Sequence, residues 1–123
     1  MGYILIIAQD RLTRAYIGAQ LQEEGFEVIG ASDLAGAISH IREEGTPPDL
    51  VILDMGERLV SKEVNAILSN LCANRPLLLI YGAWDHPSEL EWPSARYELV
   101  KPVTVGQIAD KARKIVRGYI PNG

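Results

Sequence analysis

The sequence predicts an α/β domain built on a doubly wound parallel sheet. Three observations carry this: short apolar runs of strand length, segments of helical period between them, and a cap or turn residue at most junctions. The runs are largely apolar without alternation, the pattern of parallel strands covered by helices on both faces.

Tyr3-Ile4-Leu5-Ile6-Ile7 reads as the first strand. From Leu12 to Glu24 the chain turns helical: Leu12, Ala15, Tyr16, Ala19 and Gln20 follow one track, Ile17 and Leu21 another. Gly25 ends this helix as a left-handed cap. Phe26 to Ala31 is the second strand. Ser32 or Asp33 caps a second helix on Leu34, Ala37, Ile38 and Ile41, running to Gly45. Pro47-Pro48 forces an extended approach to the third strand, Leu50-Val51-Ile52-Leu53, which stops at Asp54. Ser61 can cap a third helix carrying Val64, Ile67, Leu68 and Leu71, with Cys72 on the same apolar side.

Pro76 opens the fourth strand, Leu77 to Tyr81. Pro87 and Pro93 leave room for only a short or irregular fourth helix between Trp84 and Ala95. Tyr97-Glu98-Leu99-Val100 is the fifth strand, ended by Lys101-Pro102. Thr104 caps the last helix, whose buried side is Val105, Ile108, Ala109, Ala112, Ile115, Val116 and Tyr119. Right-handed crossovers join such strands, and the functional crevice lies at their carboxyl ends. Ala8-Gln9-Asp10, Ser32-Asp33, Asp54, Tyr81-Gly82-Ala83 and Lys101-Pro102 stand there.

Composition narrows the function classes. A chain of 123 residues with 47% hydrophobic and 23% charged residues is expected to be one domain over 1–123 with a real core, residues 118–123 reading as a tail or linker. A net charge of −4 argues against direct nucleic-acid binding. No apolar run approaches the roughly 20 residues that cross a bilayer, and without a charged lead and cleavage site before the first strand a signal peptide is not expected. One cysteine fits a reducing, cytoplasmic setting. No G-x-G-x-x-G occurs and no glycine-rich loop follows the first strand, so a flavin- or nucleotide-binding enzyme is the weakest reading.

The strand ends resemble those of response-regulator receiver domains over nearly the whole chain. Ile4-Leu5-Ile6-Ile7 with a polar triplet and Arg14 looks like that family's first strand and helix, and Gly25-Phe26-Glu27-Val28 with Ala31-Ser32-Asp33 like its second strand. Pro48-Asp49-Leu50-Val51-Ile52-Leu53-Asp54 matches the phosphoacceptor strand, and Leu99-Val100-Lys101-Pro102 the lysine–proline end of the fifth. The resemblance implies a flavodoxin-like (βα)5 fold with strand order 2-1-3-4-5.

It also implies roles. Asp54 falls on the phosphoacceptor and Lys101 on the lysine that contacts the phosphoryl group. The acidic pair that helps hold Mg²⁺ falls on Ala8 and Gln9, with Asp10 one place further on. The small hydroxyl residue of the switch falls on Tyr81, and its aromatic partner on Glu98. Beyond Asp54, Met55-Gly56-Glu57-Arg58 and Ser61-Lys62 replace the family's Met-Pro and later Asp-Gly.

A carboxylate attacking an anionic phosphoryl donor needs charge neutralisation, which an oxygen-bound Mg²⁺ supplies. The expectation is therefore a degenerate, non-enzymatic receiver with no resident metal, Asp10 and Asp54 being only weak candidate ligands. It would act by protein contact, with a sensor kinase, an output protein or a second copy, through roughly Trp84 to Tyr119. Asp54 and Lys101 are expected to pair. Asp10 and Asp33 are expected to cap helices, and His40 and His86 to lie at the surface. The alternative is a conventional receiver, still phosphorylated on Asp54 by a histidine kinase.

Overall fold

The computed structural model describes residues 2–54, 62–85 and 90–118. Ser61, His86, Pro87, Tyr119, the Met55–Arg58 departure and the tail after Gly118 therefore lie outside the described residues. In chain order the elements are β1 (Ile4–Ile7), α1 (Arg11–Glu23), β2 (Val28–Ala31), α2 (Leu34–Glu44), β3 (Leu50–Asp54), α3 (Lys62–Leu71), β4 (Leu77–Tyr81), β5 (Arg96–Val100) and α4 (Val105–Gly118). The five strands form one parallel sheet in the order β2-β1-β3-β4-β5, as the sequence predicts.

Each face of the sheet has its own apolar layer. Leu5, Ile7, Val51, Leu53, Leu77 and Leu79 face α2 and α3, where Leu34, Ile38, Ile41, Leu68 and Cys72 close over them. Ile4, Ile6, Leu50, Ile52, Leu78 and Ile80 face α1 and α4, meeting Ile17, Leu21, Ile108, Ala112 and Ile115. The central strands are buried on both sides, so their pleat leaves no polar stripe, and hydrophobic burial along them is the main stabilising term.

Local chemistry fixes the ends. Asp10 caps α1 by accepting from Thr13 N, and Asp33 rather than Ser32 caps α2 by accepting from Gly36 N. Thr104 and Gln107 cap α4 reciprocally: Gln107 N donates to Thr104 Oγ1 at 3.0 Å, and Thr104 N to Gln107 Oε1 at 2.8 Å. Gly25 and Gly45 leave α1 and α2 with φ of 94° and 78°, where any Cβ would be strained.

The structure corrects several expectations. Strand β2 begins at Val28 instead of Phe26, because Phe26 N still bonds Leu21 O in the exit from α1. Strand β1 begins at Ile4 instead of Tyr3, and β5 already at Arg96. In α1 the buried track is Ile17, Gly18 and Leu21, while Leu12 and Tyr16 face solvent. In α3, Ile67 is exposed while Asn65 and Ser69 are buried. Cys72 follows the last residue of that helix and is fully buried, which pushes its thiol up to about 11. Between β4 and β5 no helix is seen among the described residues, and residues 86–89 of that link lie outside them.

Candidate functional site

The carboxyl edge of the sheet carries a polar cluster on one face, and a second runs from Tyr81 back along β5 on the other. Asp54 ends β3 opposite Ile80 of β4, on the face covered by α1 and α4. Lys101 follows β5 directly, and its Nζ lies 2.7 Å from Asp54 Oδ1. The Asp54 side chain is 14% exposed and that of Lys101 42%, so the pair is sunk at one end and open at the other. Asp54 Oδ1 is sealed from solvent and accepts no aligned hydrogen bond from a described residue. The contact is therefore coulombic: at this distance attraction persists without lone-pair alignment, though solvent at the lysine end screens it. The backbone holds Lys101 in place through its N–H, which donates to Tyr81 O at 2.7 Å, and the Lys101–Pro102 peptide is cis.

The residues beside this pair do not fit Mg²⁺ as an oxygen-bound ion. Ala8 is 1% exposed, ends in a methyl group and offers no side-chain donor. Gln9 is exposed. Asp10, displaced by one residue, spends its Oδ2 on Thr13 N at 2.8 Å and Thr13 Oγ1 at 2.6 Å. Those bonds hold its carboxyl below the usual carboxylate range. Among the described residues no three His, Cys, Asp or Glu side chains gather anywhere. Among the described residues, a hard cation that wants six oxygens would find one carboxylate here, already facing an ammonium.

A second cation stands by the same strand ends. Arg14 leans back from α1, and its Nη1 donates to Ala8 O at 2.7 Å. Its stem lies where a side chain at position 30 would stand: a Cβ on Gly30 would come within 3.1 Å of Arg14 Cδ. The glycine in β2 thus admits the arginine to the end of β1. Sequence reasoning named Arg14 but not this contact, which depends on the β1–β2 register that pairs Ile6 with Gly30.

The other face carries a different cluster. Tyr81, last residue of β4, turns to β5 and donates its hydroxyl to Glu98 Oε1 at 3.0 Å. Glu98 Oε2 accepts from Arg96 Nε at 2.9 Å, and Arg96 Nη1 donates to Leu90 O at 2.7 Å. The Glu98 bond raises the Tyr81 phenol above its ordinary range. The two positions matched to a moving switch are therefore bonded to each other. Glu98 is exposed yet partnered, and only its spacing from Arg96 along one strand face signalled this. Tyr97 points to the opposite face, where Lys111 Nζ lies 5.7 Å from its ring centre.

The described segment entering β5, residues 90–95, is strapped down without a helix. Leu90 is buried in the α2/α3 layer, Asn65 Nδ2 reaches Glu91 O at 3.3 Å, and Trp92 Nε1 donates to Arg75 O at 2.9 Å. The tryptophans part company: Trp92 packs on the core, whereas Trp84 is 92% exposed. Of the histidines, His40 is at the surface, 3.9 Å from Glu43.

No protein-family model and no curated protein matches the sequence. Solved structures do. A response regulator receiver protein from Sinorhizobium medicae is 22% identical with a TM-score of 0.73, covering 94% of each chain. A response regulator receiver domain protein from Clostridium thermocellum is 21% identical with a TM-score of 0.73, covering 97% of each. A structure described as an adenylate cyclase from Rhodopirellula baltica is 19% identical with a TM-score of 0.75, covering 97% of this chain and 90% of that one. The likeness establishes the receiver-domain fold. It also agrees with the strand order, and no described helix is long and apolar enough to cross a membrane.

Proposed function

We propose that this chain is a receiver-type signalling domain that works by protein contact, with Mg²⁺-dependent phosphorylation of Asp54 lost or strongly impaired. The observation that carries the reading is the pairing of Asp54 with Lys101 at 2.7 Å beside an alanine where metal chemistry needs a carboxylate. Without a metal, the one cation on the acceptor among the described residues is Lys101. Losing metal-held neutralisation of a transferring phosphoryl group removes several kcal/mol of transition-state stabilisation. At about 1.4 kcal/mol per tenfold, the rate falls by orders of magnitude. Asp54 then acts as an ion-pair partner that anchors the end of β5, and the domain catalyses nothing itself.

The contact surface in this reading runs from Trp84 through β5 to the last helix. Trp84 and Val100 are exposed apolar residues there, at 92% and 52%. The Tyr81–Glu98–Arg96 chain fixes that edge in one arrangement, so binding reads a standing shape. The partner is a sensor kinase or an output protein of the cytoplasm.

The testing experiment is intact mass after incubation with a small acyl phosphate, with and without Mg²⁺, beside an Asp54→Asn control. The reading expects no gain of a phosphoryl group on the wild-type chain. A Mg²⁺-dependent gain abolished in the control would instead establish a conventional receiver phosphorylated on Asp54, a reading supported by the intact acceptor and lysine positions.

A further inference from the structure

Helix α1 has two apolar tracks, and the fold uses one. Ile17, Gly18 and Leu21 are buried against the sheet. On the opposite side Leu12 and Tyr16 are 60% and 59% exposed. Ala15 and Ala19 are exposed with them. Their spacing makes one continuous stripe, with bulky and small residues in alternation, the form of a helix-packing seam.

The charges at the ends of the stripe point to its occupant. Arg11 stands in the first turn and Glu23 in the last, with no acid in the first turn and no base in the last. That is the reverse of what the helix dipole favours. Their neighbours are engaged: Arg14 bonds Ala8 O, and Glu24 pairs with Arg113 at 3.1 Å. Arg11 and Glu23 make no ion pair among the described residues. A second copy of α1, laid antiparallel, answers both features. Leu12 of each copy meets Ala19 of the other and Tyr16 meets Ala15. In that register each Glu23 stands three residues, about 4.5 Å, beyond the position opposite Arg11, a gap that the long arginine side chain spans. A parallel copy would set arginine on arginine and glutamate on glutamate.

We infer that the chain self-associates through α1, two copies packing antiparallel on the Leu12–Ala15–Tyr16–Ala19 stripe with Arg11–Glu23 pairs at both ends. This surface lies on a different element from the Trp84–β5 edge, and the inference stands whether or not Asp54 is phosphorylated. The stripe is small beside a standard interface, so the dimer is weak, with Kd between about 10 μM and 1 mM.

Sedimentation of the full chain over a concentration series tests it, with circular dichroism confirming that each variant is folded. The average mass of the wild-type chain should climb from one copy toward two, and Tyr16→Asp should hold it at one. Because a two-fold axis repeats every pair, Arg11→Glu alone or Glu23→Arg alone should weaken association about tenfold. Combining them should bring it back to within about threefold of wild type, since the pairs are re-formed with signs exchanged. Trp84→Ser should change nothing. A monomer at about 1 mM overturns the inference. So does association that survives Tyr16→Asp, a double reversal no better than the single ones, or dependence on Trp84 alone.

Discussion

The two polar clusters lie on opposite faces of the sheet and differ in kind. On the α1/α4 face, Asp54 and Lys101 form a half-sunken pair held by charge. On the α2/α3 face, Tyr81, Glu98, Arg96 and the Leu90 carbonyl form an exposed chain held by directional hydrogen bonds. The first keeps the residue types that the receiver resemblance calls for, and the second replaces them. A receiver that signals through phosphate needs a moving link between its two faces. Here each cluster is paired within itself, and the only described bond between them is the backbone contact from Lys101 N to Tyr81 O. In the proposed reading, the edge is held in one state.

Removing the shared support should have the largest effect. Ile52 is fully buried two residues before Asp54, and Ile52→Ala should cost about 3 kcal/mol in denaturant unfolding, weakening both clusters together. Separating the clusters takes a smaller change. Lys101→Met leaves a mostly buried carboxylate without its cation and should cost about 1 kcal/mol, discounted for the exposed lysine end. Asp54→Asn should cost less, and the double variant should fall short of the sum, because both changes remove one interaction.

The exposed cluster is read by pH. Tyr81 has a raised pKa because its hydroxyl donates to Glu98. A group raised on folding adds stability that is complete below the unfolded value, near 10, and is lost as pH rises through the folded value. In Glu98→Gln, the difference in tyrosinate absorbance against Tyr81→Phe should move down toward that unfolded value. Lys101→Met should leave it unmoved, and a shift there would couple the clusters. The smallest effect concerns Asp10, whose carboxyl is lowered by Thr13. Its capping contribution is present above the unfolded carboxylate value and fades as pH falls through the folded one. Melting curves of wild type and Asp10→Ala should therefore differ near neutrality and converge in acid.

How far the sequence could be read follows the same division. Strands β1, β3 and β4 are buried on both sides, so their composition alone marks them as parallel and central. The Asp54–Lys101 pair was legible because two short motifs place both residues at strand ends. Arg14 over Gly30 was not, since it needs the register between two strands. The two tracks of α1 were visible, but only packing decides which one faces the sheet. The link before β5 resisted reading for another reason. Prolines argue against a regular helix there, but nothing local says that Leu90 and Trp92 go inward while Trp84 stays out. Likewise Tyr81 and Glu98 were identified by position, and their mutual bond rests on a diagonal across β4 and β5.

The central claim is that charge at Asp54 is answered by Lys101 and not by a metal. A Mg²⁺ titration followed by backbone amide resonances of Ala8, Gln9 and Asp54 tests it most directly. The account predicts no saturable shift at these residues up to about 10 mM, a concentration at which binding would still be weak. A saturable shift with a sub-millimolar midpoint, lost in Asp54→Asn, would contradict it.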